Sequence, residues 1–357
     1  MSLSLINIPY WHAMNLLRVP APILKTLDVD DSYGSDIQSL PVNLFAEIAP
    51  RLCSVHLHEV DLPSWCPALR TVTKLVYSSF FPLRVSDLHS LLVHLPLLDE
   101  LQVSVCDGYE PISVEQPSEL AINLHVSFGP GLESLLALFP RARAVLYDFT
   151  RHEHTPEPDP AEVAATVARA LHTVHSPKSM LICWQHTLYA HRSLAIVLDG
   201  RKVIEHLQLH VLRPALTPRL MESVLQSVTR LTVPEELWDV FEDCTLPPNL
   251  DVTIIVNQTV QTLGYTPTGE LYLSAPSVQK SIRSLALARP RDSSRDPYWT
   301  LSAIVLQAFV ANAVTPGSLQ SLVLHGIVLD GHFAFDSGEI TVRTIEDITY
   351  PEVDAAR

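Results

Sequence analysis

Apolar residues recur along the chain as a triplet, the second three positions after the first and the third two positions after the second. PILKTLDV (22–29), PRLCSVHL (50–57), RTVTKLVY (70–77) and PLLDELQV (96–103) carry it early; KVIEHLQL (202–209), QSVTRLTV (226–233) and GSLQSLVL (317–324) carry it later. The last two apolar residues of each copy alternate with neighbours, which predicts a short strand with one buried face, while the first turns in from the preceding coil. The middle residues of the first four copies, Leu27, Val55, Leu75 and Leu101, are separated by 28, 20 and 26 positions, a period typical of stacked repeat units. Weaker copies fall near Leu124, Val145, Leu181, Leu271 and Leu285.

Between the predicted strands lie helical patterns. SDLHSLLVHL (86–95) places Leu88, Leu91, Leu92 and Leu95 on one face, and DPAEVAATVARALHTV (159–174) does the same with Val163, Val167, Leu171 and Val174. The second opens on Asp159 as cap, Pro160 at the first helical position and Glu162 completing a capping box. TPRLMESVLQSV, from 217, begins the same way with Thr217 and Pro218.

One such unit cannot bury its apolar face alone, whereas stacked units bury it between them. The expected fold is therefore α/β: a curved horseshoe solenoid over residues 1–334, with parallel strands on the concave face and helices on the convex face. Leu27, Val55, Leu57, Leu75, Leu101, Val103, Leu207, Leu231 and Leu322 are its expected core. Segments near 106–119, 150–160 and 288–297, rich in Pro, Gly and charge, are expected loop insertions, because the repeat resumes after each. Residues 335–357 lose the pattern and are expected to form a C-terminal cap or tail.

Composition narrows the partners. The 357 residues are 47% hydrophobic, and 39 Asp plus Glu against 24 Lys plus Arg give a net charge of -15, which opposes binding to a phosphate backbone. The longest apolar run, LSAIVLQAFVANAV (301–314), is too short to span a bilayer. The N-terminus has neither the basic region nor the small-residue cleavage site of a secretory signal. Neither nucleic acid nor membrane is an expected partner, and the expected location is cytoplasmic or nuclear. Cys53, Cys66, Cys106, Cys183 and Cys244 include no CxxC pair, so buried free thiols are expected rather than disulfides or a zinc site.

The stretches LLRVPAPILKTLDVDD, LFAEIAPRLCSVHLHEVDLPSWCPALRTVTKLVYSS and LLVHLPLLDELQV resemble the repeat region of fungal F-box and leucine-rich-repeat proteins. In that family Pro, any residue, Leu, two residues, Leu, any residue, Leu recurs, often with a DLPW-like turn after it. The resemblance covers most of residues 16–104 and the remainder only through the repeat. It implies substrate capture for a ubiquitin ligase, with an F-box docking a Skp-type adaptor. LPVNLFAEIAPRL (40–52) echoes the opening of an F-box but runs directly into LCSVHL, without the helical spacing or terminal tryptophan of that motif. The expectation is a repeat region that engages a Skp-type adaptor only if an F-box is supplied elsewhere.

No P-loop, GxGxxG, HExxH, GxSxG or EF-hand pattern occurs. RHEHTPEPDP groups His152, Glu153, His154, Glu157 and Asp159, and reads as a solvated acidic loop. Arg283, Arg289, Arg291 and Arg295, with Ser293 and Ser294, read as an exposed loop. No catalytic residue, cofactor or metal is expected. The favoured reading is a non-catalytic scaffold with an unnamed protein partner. The alternatives are a hydrolase or other enzyme on an unrecognised α/β fold, with a base such as His56, and a gene fragment without independent function. Side chains alternating with the buried triplets are expected to share a concave partner-binding strip: His56, His58, Gln102, Gln208, His210 and His325. A metal at His56 and His58 is disfavoured because no Cys or carboxylate recurs beside them at fixed spacing along the chain.

Overall fold

The computed structural model describes residues 1–6, 15–31, 40–61, 63, 65–110, 117–150, 158–186, 192–256, 280–288, 299–331 and 341–345. The chain divides into two compact units, Met1–Pro158 and Asp159–Arg357. Both are mixed α/β, and their strands are mostly parallel.

In the first unit the apolar triplets become strands β1 (Ser2–Ile6), β2 (Thr26–Asp30), β3 (Ser54–His58), β4 (Lys74–Ser79), β6 (Glu100–Val105), β8 (Asn123–Ser127) and β9 (Ala144–Asp148), all parallel and adjacent in that order. Two short strands, β5 (Leu83–Arg84) and β7 (Tyr109–Glu110), pair separately. The ladder holds equivalent repeat positions in register: Leu3, Leu27, Val55, Leu75, Leu101, Leu124 and Val145 form one row, and Leu5, Val29, Leu57, Tyr77, Val103, Val126 and Tyr147 the next. Strands β2 and β3 alternate buried and half-buried residues along their whole length, as a strand packed on one side must. Helix α1 (Val85–Leu92) adds Val85, Leu88, Leu91 and Leu92 to the core, and α2 (Leu132–Leu138) adds Leu132, Leu135 and Leu138. Leu95, expected on the first helix, is buried just beyond its end.

The stretch echoing an F-box is not an α-helix. Leu44–Glu47 is a 3-10 segment in which Phe45 (φ 52) and Ala46 (φ 49) are left-handed, and Glu47 (φ 63) continues that twist. Leu44 and Phe45 are buried, and their packing offsets the steric cost of placing Cβ atoms in this region.

The second unit starts differently. Strands β10 (Ser179–His186), β11 (Arg192–Leu198) and β12 (Arg201–Leu207) form an antiparallel meander. Asp199 (φ 49) and Gly200 (φ 76) make the two-residue turn between β11 and β12. Two consecutive positive φ values match the right-handed twist of a tight hairpin, and Asp-Gly is a preferred pair for them. Asp199 also accepts backbone N–H bonds from Lys178 and Ser179 at 2.8 and 2.7 Å. Strand β10 then pairs in parallel with β13 (Arg230–Pro234), followed by β14 (Asp251–Ile255), β15 (Ser284–Ala288), β17 (Ser321–His325) and β19 (Thr341–Ile345). β16 (Trp299–Ser302) and β18 (Ile327–Asp330) form a separate parallel pair. KVIEHLQL thus contributes the last strand of a meander, where the sequence pattern suggested another parallel unit.

Helices α3 (Pro160–His172), α4 (Leu209–Ala215), α5 (Pro218–Leu225) and α6 (Ala303–Ala313) supply further core residues. The caps fall where expected: Asp159 accepts from Ala161 N, and Thr217 from Leu220 N. Val163, Val167 and Leu171 line the buried face of α3. The nine expected core residues of the chain are all at most 1% exposed. Among the described residues no helix is long and apolar enough to cross a membrane.

Of the five free thiols, Cys66, Cys183 and Cys244 are buried as expected, but Cys53 is exposed and Cys106 half-buried. Cys53 stands two positions before Val55, outside the alternating strand, so its side chain escapes the core. Of the expected loop insertions at 106–119, 150–160 and 288–297, residues 111–116, 151–157 and 289–297 lie outside the described residues, and with them His152, Glu153, His154, Glu157, Arg289, Arg291, Arg295, Ser293 and Ser294, as does Leu271. Arg283 is described and donates through Nε to Gln320 Oε1 at 2.7 Å.

Candidate functional site

Burying the apolar rows of the first unit turns every alternate side chain to the opposite face of the same sheet. Strand register arranges these into rows. One runs Ser4, Asp28, His56, Val76, Gln102 and His125; another runs Asp30, His58, Ser78 and Ser104; a third runs Thr26, Ser54, Lys74, Glu100 and Asn123. Most of these side chains are half-buried, and Ser4 and Asn123 are exposed.

Polar contacts tie these side chains together, three of them between neighbouring strands and one within β3. Ser4 Oγ donates to Asp28 Oδ2 at 3.1 Å, and Lys74 Nζ meets Glu100 Oε1 at 2.6 Å. His56 Nε2 is 3.2 Å from Ser54 Oγ, and His58 Nδ1 is 2.5 Å from Ser78 Oγ. Phe80 stands edge-on to the His58 ring, with centroids 5.9 Å apart. Each imidazole therefore has one nitrogen engaged by a serine hydroxyl and its plane restrained.

At the carboxyl ends of the strands Glu59, 4% exposed and left-handed (φ 55), closes the turn after β3. Its carboxylate accepts from Phe80 N at 2.5 Å and from Ser79 Oγ at 3.3 Å. Phe81 N donates to Ser79 Oγ at 3.0 Å. The backbone donors of Phe80 and Phe81 are thus consumed within the turn, and the His58–Ser78 pair gains no oxyanion-binding N–H from them. His56, the base of the enzymatic alternative, engages a serine on its own strand.

No protein-family model and no curated protein matches the chain.

Three of the six expected strip residues, His56, His58 and Gln102, share this face of the first unit. Gln208 and His210 do not lie on a strand: β12 ends at Leu207, Gln208 is the N-cap of α4, and His210 is inside that helix. His206 breaks the strand geometry before them, with φ 57 and its N–H donated to Gln185 Oε1 at 3.1 Å. A left-handed residue cannot continue the alternation, so the sequence's period-two placement fails here. His325 ends β17 in the second unit, and burial lowers its pKa.

The second unit differs in chemistry as well as topology. Leu181, Cys183, Ala195, Val197 and Ile255 form a buried apolar cluster, alternating along β10 and β11 with Met180, Ile182, Leu194, Ile196 and Leu198, which are also buried. Strands buried on both faces read as continuous apolar runs, and MLIC and LAIVL do so. The triplet pattern marks MLIC only as a weak copy near Leu181 and does not detect LAIVL.

Residues overlooked in the sequence are Asp28 and Asp30. They occupy the alternate positions of LDVDD, and register sets Asp28 beside His56 and Asp30 beside His58. Aligning the triplets of the first two repeats places the four residues in equivalent positions, so the signal was available.

Proposed function

We propose that the chain is a non-catalytic protein-binding scaffold built as a leucine-rich-repeat solenoid, and that the polar strand face of Met1–Pro158 carries its partner site. The observation that carries this reading is the in-phase ladder from β1 to β9. From β2 to β8 equivalent apolar residues stack into continuous buried rows, Leu3 and Val145 at the ends of one row being half-buried, and their alternates form a largely half-exposed field. Stacked repeats use such extended faces for recognition. Val76, flanked by His56 and Gln102, gives the field an apolar centre with a polar surround, the arrangement typical of protein interfaces. The resemblance of residues 16–104 to F-box and leucine-rich-repeat proteins supports a narrower version, substrate recognition for a ubiquitin ligase whose F-box is supplied elsewhere.

The test is site-specific photo-crosslinking from Gln102 and, as a control, from exposed Ser90 on α1. The expected result is one discrete adduct from Gln102, absent from Ser90, whose purified partner then binds Gln102→Arg and Val76→Arg variants about tenfold or more weakly, a loss of about 1.4 kcal/mol. Adducts only from Ser90, or a partner indifferent to both substitutions, would move the site off the strand face.

A further inference from the structure

The turns that leave β3, β4 and β6 lie side by side at the carboxyl end of the sheet, because the three strands are parallel, adjacent and in register. Two of these turns direct their apolar residues inward: Val60 is buried after β3, and Tyr109 after β6. The turn after β4 does the reverse. Phe80 is 48% and Phe81 56% exposed, and Pro82 beside them is exposed too. Together the two rings leave in water about the area of one whole phenylalanine side chain, roughly 150–250 Å². Hydrogen bonds to both neighbouring turns hold the segment in this state. Phe80 N donates to Glu59 Oε1 at 2.5 Å, Leu83 N to Gly108 O at 3.0 Å, and Cys106 N to Ser79 O at 3.0 Å. Pro82 fixes its own φ. The rings cannot fold under without breaking these bonds, so the pair is presented to a ligand in a preorganised form.

The surround of the aromatic pair is acidic. Asp61, Asp107 and Glu110 are exposed on the flanking turns, and Asp87 is exposed in the first turn of α1. Asp87 accepts from Ser86 Oγ at 3.3 Å, which leaves its charge intact. Residues 59–61, 79–87 and 106–110 include a single Lys or Arg, Arg84, and Glu110 engages it at 3.4 Å. The negative field is felt between the turns. Burial first, then the charges of Asp61, Glu59 and Asp87, push the Tyr77 hydroxyl up to about 12. Burial, then Asp107 and Glu59, push the Cys106 thiol up to about 11. We propose that Phe80 and Phe81, ringed by Asp61, Asp87 and Asp107, form a docking site for a short basic segment of another protein, in which arginine or lysine flanks a large apolar side chain. The size of the patch selects a linear segment, since a folded partner or a stable dimer buries about 800 Å² on each side. Charge disfavours a second copy of this chain, which carries the same net charge of -15. An arginine satisfies both features at once, pairing with a carboxylate and lying over a phenylalanine ring. The site is separate from the Val76 and Gln102 field and stands whether or not that field binds.

The experiment selects ligands for the full chain from a phage-displayed library of random linear peptides, then titrates the recovered peptides, fluorophore-labelled, by anisotropy. Expected are sequences with arginine or lysine on both sides of a leucine, isoleucine, methionine or aromatic residue, whose binding weakens as salt is raised. Phe80→Ala and Phe81→Ala each weaken binding about tenfold or more. Asp61→Asn combined with Asp107→Asn weakens it about threefold or more and flattens the salt dependence. Gln102→Ala leaves the affinity unchanged, which separates this site from the strand face. Phe80, Phe81, Asp61 and Asp107 are all exposed, so the variants should melt with the parent. Should Phe81→Ala melt lower, Asp107→Lys carries the same test. The proposal is overturned if the selection yields no basic, apolar consensus, if binding survives both Phe81→Ala and Asp107→Lys, or if Gln102→Ala abolishes binding and Phe81→Ala does not. Self-association, or binding to anionic lipid vesicles, that Phe81→Ala abolishes in place of peptide binding would assign the pair to another occupant and overturn it as well.

Discussion

Replacing Leu57 by Ala probes the apolar ladder where its neighbours are best defined. Leu57 is 1% exposed and lies between Val29 and Tyr77 in the register of β2, β3 and β4. The substitution removes three carbons from the core, and at about 0.8 kcal/mol each the transfer contribution is about 2.4 kcal/mol. Flanking side chains belong to a fixed sheet and close the void only partly, so the total is expected within roughly 2–5 kcal/mol. Gln102→Ala, on the opposite face of the same sheet, is expected within about 0.5 kcal/mol of the parent. Urea unfolding followed by circular dichroism is the assay, with the midpoint shifting and the slope unchanged. In thermal melts the Leu57→Ala transition should fall by roughly 4–20 °C, at about 2–4 °C per kcal/mol for a domain of this size. Equal effects of the two substitutions, or no effect of either, would refute the assignment of buried and open faces.

Three further outcomes follow from local geometry. Asp159→Ala removes the side-chain acceptor for Ala161 N at the start of α3 and is expected to cost about 1 kcal/mol, read as a lower urea midpoint. Under native conditions a thiol reagent should modify exposed Cys53 first, whereas Cys66 and Cys183, whose pKa burial pushes up to about 11, should wait for unfolding. Because their folded pKa lies above that of a free thiol, this contribution to stability is complete below about pH 9 and declines as pH rises towards 11. A chain whose urea midpoint stays level across that range would contradict it.

The first unit was largely legible because its strands are buried on one side: alternation in TLDVD, SVHLH and ELQVS reports directly which side chains face the core. Helices α3 and α5 were legible from Asp159-Pro160 and Thr217-Pro218, local signals that need no tertiary context. Legibility failed where burial is two-sided. MLIC and SLAIVL carry no alternation, and the triplet match at KVIEHLQL conceals the Asp199-Gly200 pair between two apolar runs, a strong hairpin signal. That match misplaced Gln208 and His210, because a left-handed His206 cannot be read from spacing. The Asp28–His56 and Asp30–His58 pairs are not shown by chain-neighbour spacing; they emerge only when the triplets of the first two repeats are aligned on one another, as the strand register does.

The Asp199–Gly200 hairpin also bears on the order in which the second unit assembles. Parallel neighbours such as β14 and β15 must close about thirty residues of intervening chain before their first ladder bond forms, since Asp251 pairs with Ser284, and that loop entropy is spent before any contact repays it. Leu198 and Arg201, by contrast, pair across two residues already bent by Asp199 and Gly200. Hairpins of this kind close in about 1–10 μs. The meander is therefore the part of the unit that acquires native pairing soonest, and once β10 is held against β11 its other edge offers β13 a formed template, so that the slow parallel strands are added one at a time to an existing surface.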